Sequence, residues 1–331
     1  MAAPIWQLQD ASLTSGRTTR LAGIDLSILP GVTAVLGASG AGKSSLLSLL
    51  TGFERPTSGT VAFSPNPHAG QLPLFWSPQD HGLWPKLTAR EHLATVRPDA
   101  ARIDRSVDEW LALLRLTEVT DALPHRLSQG ERSRLSLGRA LASEAACLVL
   151  DEPLAHVDPI HRHSYVELIA GHAKSLGGNI VFSTHDPASV LRIAKHVVCL
   201  SETRCVFSGP VNELYFNPPT EETAWLLGPA NWIDEDNSAL RSLLDAPSLQ
   251  CVRPGELAVS RNKTESRPGN GSSDLEVVDK YRTCDLMELS MRDAAGRVQH
   301  LFSSCCDEDV VAGATVSLHF HPHVERPITS R

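Results

Sequence analysis

The chain has 331 residues, of which 42% are hydrophobic and 21% charged, and its formal net charge is −8. This length predicts about two domains, and the mild acidity argues against bulk binding to nucleic acid. We expect neither a signal peptide nor a membrane span, because the N-terminal sequence lacks a basic region and no apolar run approaches roughly 18 residues. The seven cysteines form no CxxC pair, which favours reduced thiols in a cytoplasmic protein.

Up to about residue 235, short apolar segments alternate with helical patterns. Helices are predicted at Ser44–Leu50 and Leu135–Ser143 from their helix-forming residues, and at Val107–Leu116 from apolar residues spaced at i, i+3, i+4 and i+7. Strands are predicted at Ile24–Leu29, Val32–Leu36, Cys147–Leu150 and Ile180–Ser183. Strands that alternate with helices indicate an α/β domain with a mainly parallel sheet.

Beyond residue 245 the helical patterns give way to short apolar runs. These runs are Leu257–Val259, Leu275–Val278, Leu286–Ser290, Val298–Phe302 and Thr315–Phe320. The segment Ser266–Asp274 is typical of a loop, and Asp293–Gly296 is typical of a hairpin connection. We therefore expect a small antiparallel β domain, with the boundary between residues 235 and 236.

A phosphate-binding loop is predicted at Gly37–Ser44, because GASGAGKS fits the pattern G-x-x-x-x-G-K-[ST] between a buried strand and a helix. Glycines let backbone N–H groups turn inward around phosphates, and the helix N-terminus adds partial positive charge. Lys43 can reach the β- and γ-phosphates, and the Ser44 hydroxyl can bind Mg²⁺. The predicted nucleotide-binding residues of this segment are Gly37, Ala38, Ser39, Gly40, Ala41, Gly42, Lys43, Ser44 and Ser45.

Two carboxylates, Asp151 and Glu152, follow the predicted strand Cys147–Leu150. In regular strand geometry they cannot both point the same way, because successive side chains alternate between the two faces. One can then hold Mg²⁺ while the other orients the attacking water as a general base. Such a pair often simply begins a helix, but together with the phosphate loop it indicates nucleotide hydrolysis.

Four further segments complete a resemblance to the ATP-binding cassette (ABC) family over residues 1–230. Leu127–Glu131 (LSQGE) resembles the family signature, usually LSGGQ, and Leu154–Asp158 (LAHVD) resembles the D-loop. Gln79 in SPQDHGLWPKLT resembles the Q-loop glutamine in its importer form, and His185 in FSTHD resembles the switch histidine. The order and spacing of these motifs match the layout of the family.

The resemblance implies an ATPase in which two cassettes pack head to tail around two ATP molecules. Ser128 and Gly130 of one subunit, together with Asp158, would contact nucleotide held by the phosphate loop of the other. Glu152 would position or deprotonate water, and His185 would contact the γ-phosphate. The implied catalytic residues are Lys43, Gln79, Glu152 and His185, and the implied magnesium ligands are Ser44, Gln79 and Asp151.

The resemblance also implies the cofactors, the partners and the location. ATP and Mg²⁺ are the expected cofactors. The chain carries one copy of each motif, so a second nucleotide-binding subunit is expected, most simply another copy of the same chain. Transmembrane permease subunits, a solute-binding protein that acts indirectly, and a peripheral position on the cytoplasmic face of the inner membrane are also implied, with no nucleic acid partner.

The implied fold class is an α/β P-loop ABC ATPase domain with a mainly parallel sheet and an antiparallel subdomain, followed by a small all-β domain. Cys251–Glu256 (CVRPGE) resembles the start of the OB-like accessory domain of the TOBE type. Residues 1–235 are therefore predicted as the nucleotide-binding domain and residues 236–331 as the TOBE-like domain. Importers of this type carry iron(III), polyamines, thiamine, sulfate, molybdate, phosphonates or sugars.

The sequence departs from the family pattern at two places. Gln129 and Glu131 stand where the signature usually has Gly and Gln, although Glu131 is also placed to form a capping box with Ser128. The segment Leu13–Thr19 lacks the aromatic residue that often stacks on adenine, and Trp6 is either a substitute or a core residue. Two alternatives remain open: a soluble ABC ATPase outside transport, and a regulatory subunit with weak hydrolysis.

Overall fold

The computed structural model describes residues 3–233, 250–261, 275–283, 285–293 and 296–321. The chain divides into two compact units, Met1–Val211 and Asn212–Arg331. The predicted boundary at residues 235 and 236, the predicted loop at 266–274 and residues 294–295 of the predicted hairpin connection lie outside the described residues. Over the described ranges, no helix is both long enough and apolar enough to cross a membrane.

The first unit contains two sheets, and its strands alternate with helices as predicted. The strands are β1 (Trp6–Ser15), β2 (Thr18–Ile28), β3 (Val32–Leu36), β4 (Ser58–Phe63), β5 (Phe75–Ser77), β6 (Cys147–Asp151), β7 (Asn179–Ser183), β8 (His196–Ser201) and β9 (Arg204–Pro210). The helices, counted onward into the second unit, are α1 (Lys43–Leu50), α2 (Ala89–Val96), α3 (Val107–Leu113), α4 (Gln129–Ala142), α5 (Pro159–Leu176), α6 (Pro187–Ile193), α7 (Val211–Phe216) and α8 (Glu221–Trp225).

The larger sheet has the strand order β5-β6-β7-β3-β8-β9, and each neighbouring pair is parallel except β8 with β9. Every residue of β3 and β6 is buried, as expected for strands covered on both faces. The smaller sheet, β2-β1-β4, is antiparallel throughout. The predicted fold class, a mainly parallel sheet with an antiparallel subdomain, is confirmed.

Trp6 belongs to the core of the first unit. It is fully buried, its indole Nε1 donates to the carbonyl of Leu50 over 2.8 Å, and its ring stacks on Phe63 with centroids 4.8 Å apart. A side chain held in this way is not available to a ligand. Of the two interpretations of Trp6, the structure therefore supports the core residue.

Two helices differ from the predicted bounds for local reasons. Helix α4 begins at Gln129 rather than Leu135, because Ser128 and Glu131 form the predicted capping box at its N-terminus. Helix α3 ends at Leu113 rather than Leu116, because Arg115 takes a left-handed backbone conformation with φ 55°.

After α8, the described part of the second unit consists of β strands and one 3₁₀ turn, as predicted for a β domain. Its strands are β10 (Asn231–Trp232), β11 (Cys251–Val252), β12 (Leu257–Arg261), β13 (Leu275–Thr283), β14 (Leu286–Arg292), β15 (Val298–Ser303), β16 (Cys305–Cys306) and β17 (Thr315–Phe320). The six-stranded sheet β15-β14-β13-β17-β12-β16 is antiparallel apart from the pair β12 and β16, and β10 pairs with β11. Each of the five predicted apolar runs lies in one of these strands.

Arg253 is a buried charged residue of the second unit. Its Nε donates to the carbonyl of Tyr215 over 2.7 Å, and its Nη1 donates to the carbonyls of Ala224 and Gly228, each over 3.0 Å. Its guanidinium also lies 4.2 Å from the centre of the Tyr215 ring. These contacts attach the segment before the β sheet to the strand that leads into it.

Candidate active site

The segment between β3 and α1 forms a tight loop that only glycine can build at its critical positions. Gly37, Gly40 and Gly42 have φ values of 149°, 81° and 105°. A Cβ at Gly37 would lie 2.3 Å from the carbonyl oxygen of Leu200, and one at Gly42 would lie 2.8 Å from that of Arg20. The loop therefore has the close backbone approach that a phosphate cradle requires.

Lys43, the first residue of α1, holds this loop in place. Its Nζ donates to the carbonyls of Gly37, over 2.9 Å, and Ala38, over 3.1 Å. Burial lowers the pKa of Lys43, and the nearby carboxylates of Glu152 and Asp151 act in the opposite direction. The ammonium group is thus a partly desolvated cation at the base of the loop.

The two carboxylates after β6 are oriented by one side chain of β7. The Ser183 hydroxyl donates to Asp151 Oδ1 over 2.6 Å and accepts the backbone N–H of Glu152 over 2.9 Å. Strand β6 ends at Asp151, and Glu152 has a left-handed backbone with φ 49°. Because Glu152 has left strand geometry, both residues line one cavity, which the alternation expected of a regular strand would prevent.

Glu152, His185 and Lys43 lie close together. His185 Nε2 is 3.0 Å from Glu152 Oε1 and 3.2 Å from Lys43 Nζ. One ring nitrogen cannot donate to Glu152 and accept from Lys43 at the same time, so the tautomer of His185 decides which of the two it binds. Burial raises the pKa of Glu152, against the opposing effect of His185 and Lys43.

These residues surround a cavity of about 200 Å³, to which four separate segments contribute. Its lining residues are Ser39, Gly40, Gly42, Lys43, Ser44, Ser45, Gln79, Asp151, Glu152 and His185. The structure therefore brings together Gln79, the acidic pair and His185 with the phosphate loop. Of the other loop residues, Gly37 and Ala38 contact Lys43 through their carbonyls, and Ala41 is buried.

Comparison with known proteins identifies the family. The sequence model of the ABC transporter family matches residues 21–155. The chain is 34% identical over 324 residues to the Fe(3+) ions import ATP-binding protein FbpC of Yersinia enterocolitica, covering 90% of this chain and 88% of that protein. It is 30% identical over 282 residues to the sulfate/thiosulfate import ATP-binding protein CysA of Nitrosomonas europaea, covering 77% and 78%. The chain belongs to the ATP-binding subunits of ABC importers.

A solved structure has a fold similar to that of this importer ATP-binding subunit. The dimeric post-hydrolysis structure of the ATP-binding cassette MJ0796, bound to ADP and Pi, has a TM-score of 0.53 and 21% identity, covering 62% of this chain and 98% of that chain. The P-loop ABC ATPase fold, the binding of ATP and the ATPase activity expected from the motifs are confirmed. The importer relatives favour transport over the soluble alternative.

The signature residues of the importer subunit lie apart from the cavity. Ser128 caps α4: its N–H and hydroxyl each donate to Glu131 Oε2 over 2.7 Å, which lowers the pKa of Glu131. Asp158 caps α5 by accepting the N–H of Ile160 over 2.9 Å. A Cβ at Gly130 would lie 3.0 Å from the carbonyl of His156 in the D-loop segment. Ser128, Gly130 and Asp158 do not line the cavity.

A group of residues that the motifs did not reveal ties the Gln79 segment to α4. The carbonyl of His81 accepts from Ser136 Oγ over 2.8 Å and from Arg139 Nη2 over 2.9 Å, and Ser136 Oγ lies 2.7 Å from Ser77 Oγ. His81 has φ 73°, which aims its carbonyl at the helix. Pro78, Asp80 and Gly82 are the local signals of a turn in this segment. Ser183 was missed too, although it lies within the FSTHD motif.

Proposed function

We propose that this importer subunit hydrolyses ATP in the cavity above Lys43, with Glu152 as the general base and with the signature segment of a second copy completing the site. The observation that carries the proposal is the convergence of Lys43, Gln79, the acidic pair and His185 on one cavity of about 200 Å³. Each has a chemical type that phosphoryl transfer to water uses.

The loop Gly37–Ser45 is proposed to hold the triphosphate. Its backbone amides and the N-terminus of α1 supply donors and partial positive charge, and Lys43 adds a full charge at the β- and γ-phosphates. In the structure Lys43 Nζ is bound by two loop carbonyls, so it sits at the bottom of the cradle and points toward the acidic wall. The γ-phosphate therefore belongs at the end of the cavity nearest Glu152.

Ser44, Gln79 and Asp151 are proposed to bind Mg²⁺. Their hydroxyl, amide and carboxylate oxygens form the hard-oxygen donor set that this ion prefers, and all three residues line the cavity. The hydrogen bond from Ser183 fixes Asp151 Oδ1. When bound, the ion neutralises charge on the β- and γ-phosphates.

Glu152 is proposed to accept a proton from the attacking water. As the water oxygen bonds to the γ-phosphorus, the bond from that phosphorus to the bridging oxygen of ADP breaks, which releases ADP and inorganic phosphate. Glu152 lines the cavity next to Lys43 and His185, which places its carboxylate at the proposed phosphate end. His185, within 3.2 Å of both Glu152 and Lys43, positions the base against the phosphate end.

The second copy is proposed because part of the predicted site is absent from the cavity. Ser128, Gly130 and Asp158 stand at the N-termini of α4 and α5, where N–H groups can bind an anion. In a head-to-tail dimer these termini would face the phosphates of the partner. Closure on ATP and opening after hydrolysis would then drive transport.

Permease chains, attachment to the cytoplasmic face of a membrane and the TOBE type of the β domain, predicted at residues 236–331, are also proposals. Membrane partners are supported by the importer relatives, and the domain type by the six-stranded β sheet of the second unit. The two relatives are named for sulfate/thiosulfate and Fe(3+), at 30% and 34% identity. Because similar ATP-binding proteins are named for different solutes, we propose that the solute is selected by the permease or solute-binding chains.

The test is ATP turnover by the purified full chain, with and without the Glu152→Gln substitution. We expect hydrolysis to fall roughly 10²- to 10⁴-fold while ATP binding is retained, because only the proton acceptor is lost. Size-exclusion chromatography with light scattering should show an ATP-dependent dimer of the variant. Glu118→Gln, at an exposed position, is the matched control. Turnover equal to that of the control would reject Glu152 as the base, and a monomer in saturating ATP would reject the dimer.

A further inference from the structure

The nucleotide cavity contains groups for phosphates but no evident platform for a base. Its described lining includes no Phe, Tyr or Trp. The hairpin turn between β1 and β2 has no aromatic residue at Leu13–Thr19, and Trp6 is enclosed in the core. A purine that projects beyond the α-phosphate therefore meets no aromatic ring among these residues.

Arg20 of β2 contacts a lining residue of the cavity, Ser45. The γ-phosphate end is defined by Lys43 and Glu152, so the nucleoside must lie toward the opposite end of the phosphate loop. Ser45 lines the cavity beyond Lys43 along α1, and its hydroxyl accepts from Arg20 Nε over 3.0 Å. The backbone of Arg20 also approaches the loop, since its carbonyl lies 2.8 Å from the Cβ position of Gly42.

The guanidinium of Arg20 is held by its edge. Its Nη1 donates to Glu54 Oε1 over 2.6 Å, and Glu54 Oε2 in turn accepts from Ser48 Oγ over 2.7 Å. This ion pair balances the charge of Arg20, which makes it a weak ligand for phosphate. Because Nε and Nη1 are bound to Ser45 and Glu54, the guanidinium plane is fixed in orientation. The side chain is 32% exposed, so a face of this plane can contact a ligand.

We propose that the Arg20 guanidinium is the base platform of this nucleotide site and stacks on the purine of ATP in place of an aromatic ring. The proposal rests on the placement of the phosphates in the Gly37–Ser45 cradle. A guanidinium plane stacks on any purine, because it uses the face of the ring rather than its hydrogen-bonding edge. The site therefore binds adenine and guanine nucleotides with similar affinity.

The experiment is calorimetric titration of the full chain in EDTA with ATP, GTP and inorganic tripolyphosphate. Arg20→Ala should weaken binding of ATP and of GTP by roughly 3- to 30-fold and leave tripolyphosphate unchanged. Arg20→Lys should show the same pattern, because it keeps the charge opposite Glu54 but removes the plane. Arg20→Phe should restore binding of both nucleotides. Arg17→Ala, an exposed arginine of the same hairpin, is the control and should bind all three ligands as the unmodified chain does.

Other outcomes overturn the proposal in distinguishable ways. An equal loss for tripolyphosphate would make Arg20 a phosphate ligand, and a loss in Arg20→Ala that Arg20→Lys recovers would make charge the cause. If Arg20→Ala fails to fold, the test rests on Arg20→Lys. An ATP affinity of Arg20→Lys equal to that of the unmodified chain would reject stacking of Arg20 on the purine. Lys43→Ala reports on the cradle separately: tripolyphosphate binding that survives this substitution would reject the proposed phosphate site itself.

Discussion

The hydroxyl of Ser183 donates to Asp151 Oδ1 over 2.6 Å and accepts the backbone N–H of Glu152 over 2.9 Å. A single fully buried serine on β7 thus orients the magnesium ligand and the general base proposed for the neighbouring strand end. It joins two adjacent parallel strands at their carboxyl ends, where the phosphate loop also begins.

Ser183→Ala should lower the rate of ATP hydrolysis roughly 10- to 100-fold with little change in ATP affinity. The substitution leaves the partly buried N–H of Glu152 without its acceptor, which costs about 1–3 kcal/mol and loosens the orientation of Asp151 and Glu152. Steady-state turnover and equilibrium binding measure the two effects separately. Ser164→Ala removes an exposed hydroxyl that binds the carbonyl of His161, so a rate for Ser183→Ala equal to that of this control would contradict the prediction.

Gly37→Ala should cost more stability than Gly40→Ala, although both lie in the same loop at positive φ. At Gly40 no atom lies within 4 Å of an added Cβ, so only backbone strain of about 1–3 kcal/mol is expected. At Gly37 the Cβ would meet the carbonyl of Leu200 at 2.3 Å, and we expect a loss of about 4 kcal/mol or more together with loss of ATP binding. Urea unfolding gives both values, and equal losses would show that the loop relaxes around the added methyl group.

His172 should make the protein less stable in acid. Burial lowers the pKa of His172 to about 4, and neither of its ring nitrogens has a hydrogen-bond partner among the described residues. Since an unfolded histidine titrates near 6.5, the unfolded state takes up the proton first as the pH falls. The free energy of unfolding is therefore undiminished by His172 above pH 6.5. It falls by about 3 kcal/mol as the pH decreases from 6.5 to about 4.

This pH effect can be isolated by comparing two substitutions on α5. His172→Leu removes the titrating group without removing a hydrogen bond, and it should flatten the decline in the free energy of unfolding between pH 6.5 and 4. His163→Leu, at an exposed position on the same helix, should leave that decline unchanged. If both variants follow the unmodified chain, His172 does not carry the effect.

The cysteines should differ sharply in their reaction with a thiol-alkylating reagent. Burial raises the pKa values of Cys147 and Cys199 to about 12, whereas Cys305 is exposed at the edge strand β16. Because the thiolate is the reacting species, Cys305 should be labelled at least about 10²-fold faster than the two buried residues at pH 8. Peptide mapping by mass spectrometry measures the rates, and urea should abolish the difference. Comparable labelling in the folded protein would contradict the burial.

Much of the site could be predicted because its chemistry lies in contiguous residues. The bounds of β3 match the predicted strand, and the capping box of Ser128 and Glu131 involves positions three residues apart. The phosphate loop needs a strand, glycines and a helix in immediate succession, so the local sequence specifies it. Patterns of this kind do not depend on knowing which distant segments meet.

The remaining features depend on contacts between distant segments. The Ser183–Asp151 hydrogen bond and the binding of the His81 carbonyl by Arg139 join residues far apart in sequence. The left-handed backbone at Glu152 follows directly after a strand end and occurs without a glycine. The parallel pairing of β12 with β16 likewise follows from tertiary packing, which apolar runs alone do not encode.

The hydrogen bonds of Arg253 limit where recombination could separate the ATPase from the β domain without loss of stability. Its guanidinium binds the carbonyls of Tyr215, Ala224 and Gly228, so the stretch that follows the ATPase in sequence is joined to the β unit. A recombination crossover just before Asn212 would transfer a β module with these bonds intact. A crossover between Gly228 and Arg253 would separate the cation from its acceptors, and lysine, with its single point charge, could not replace it.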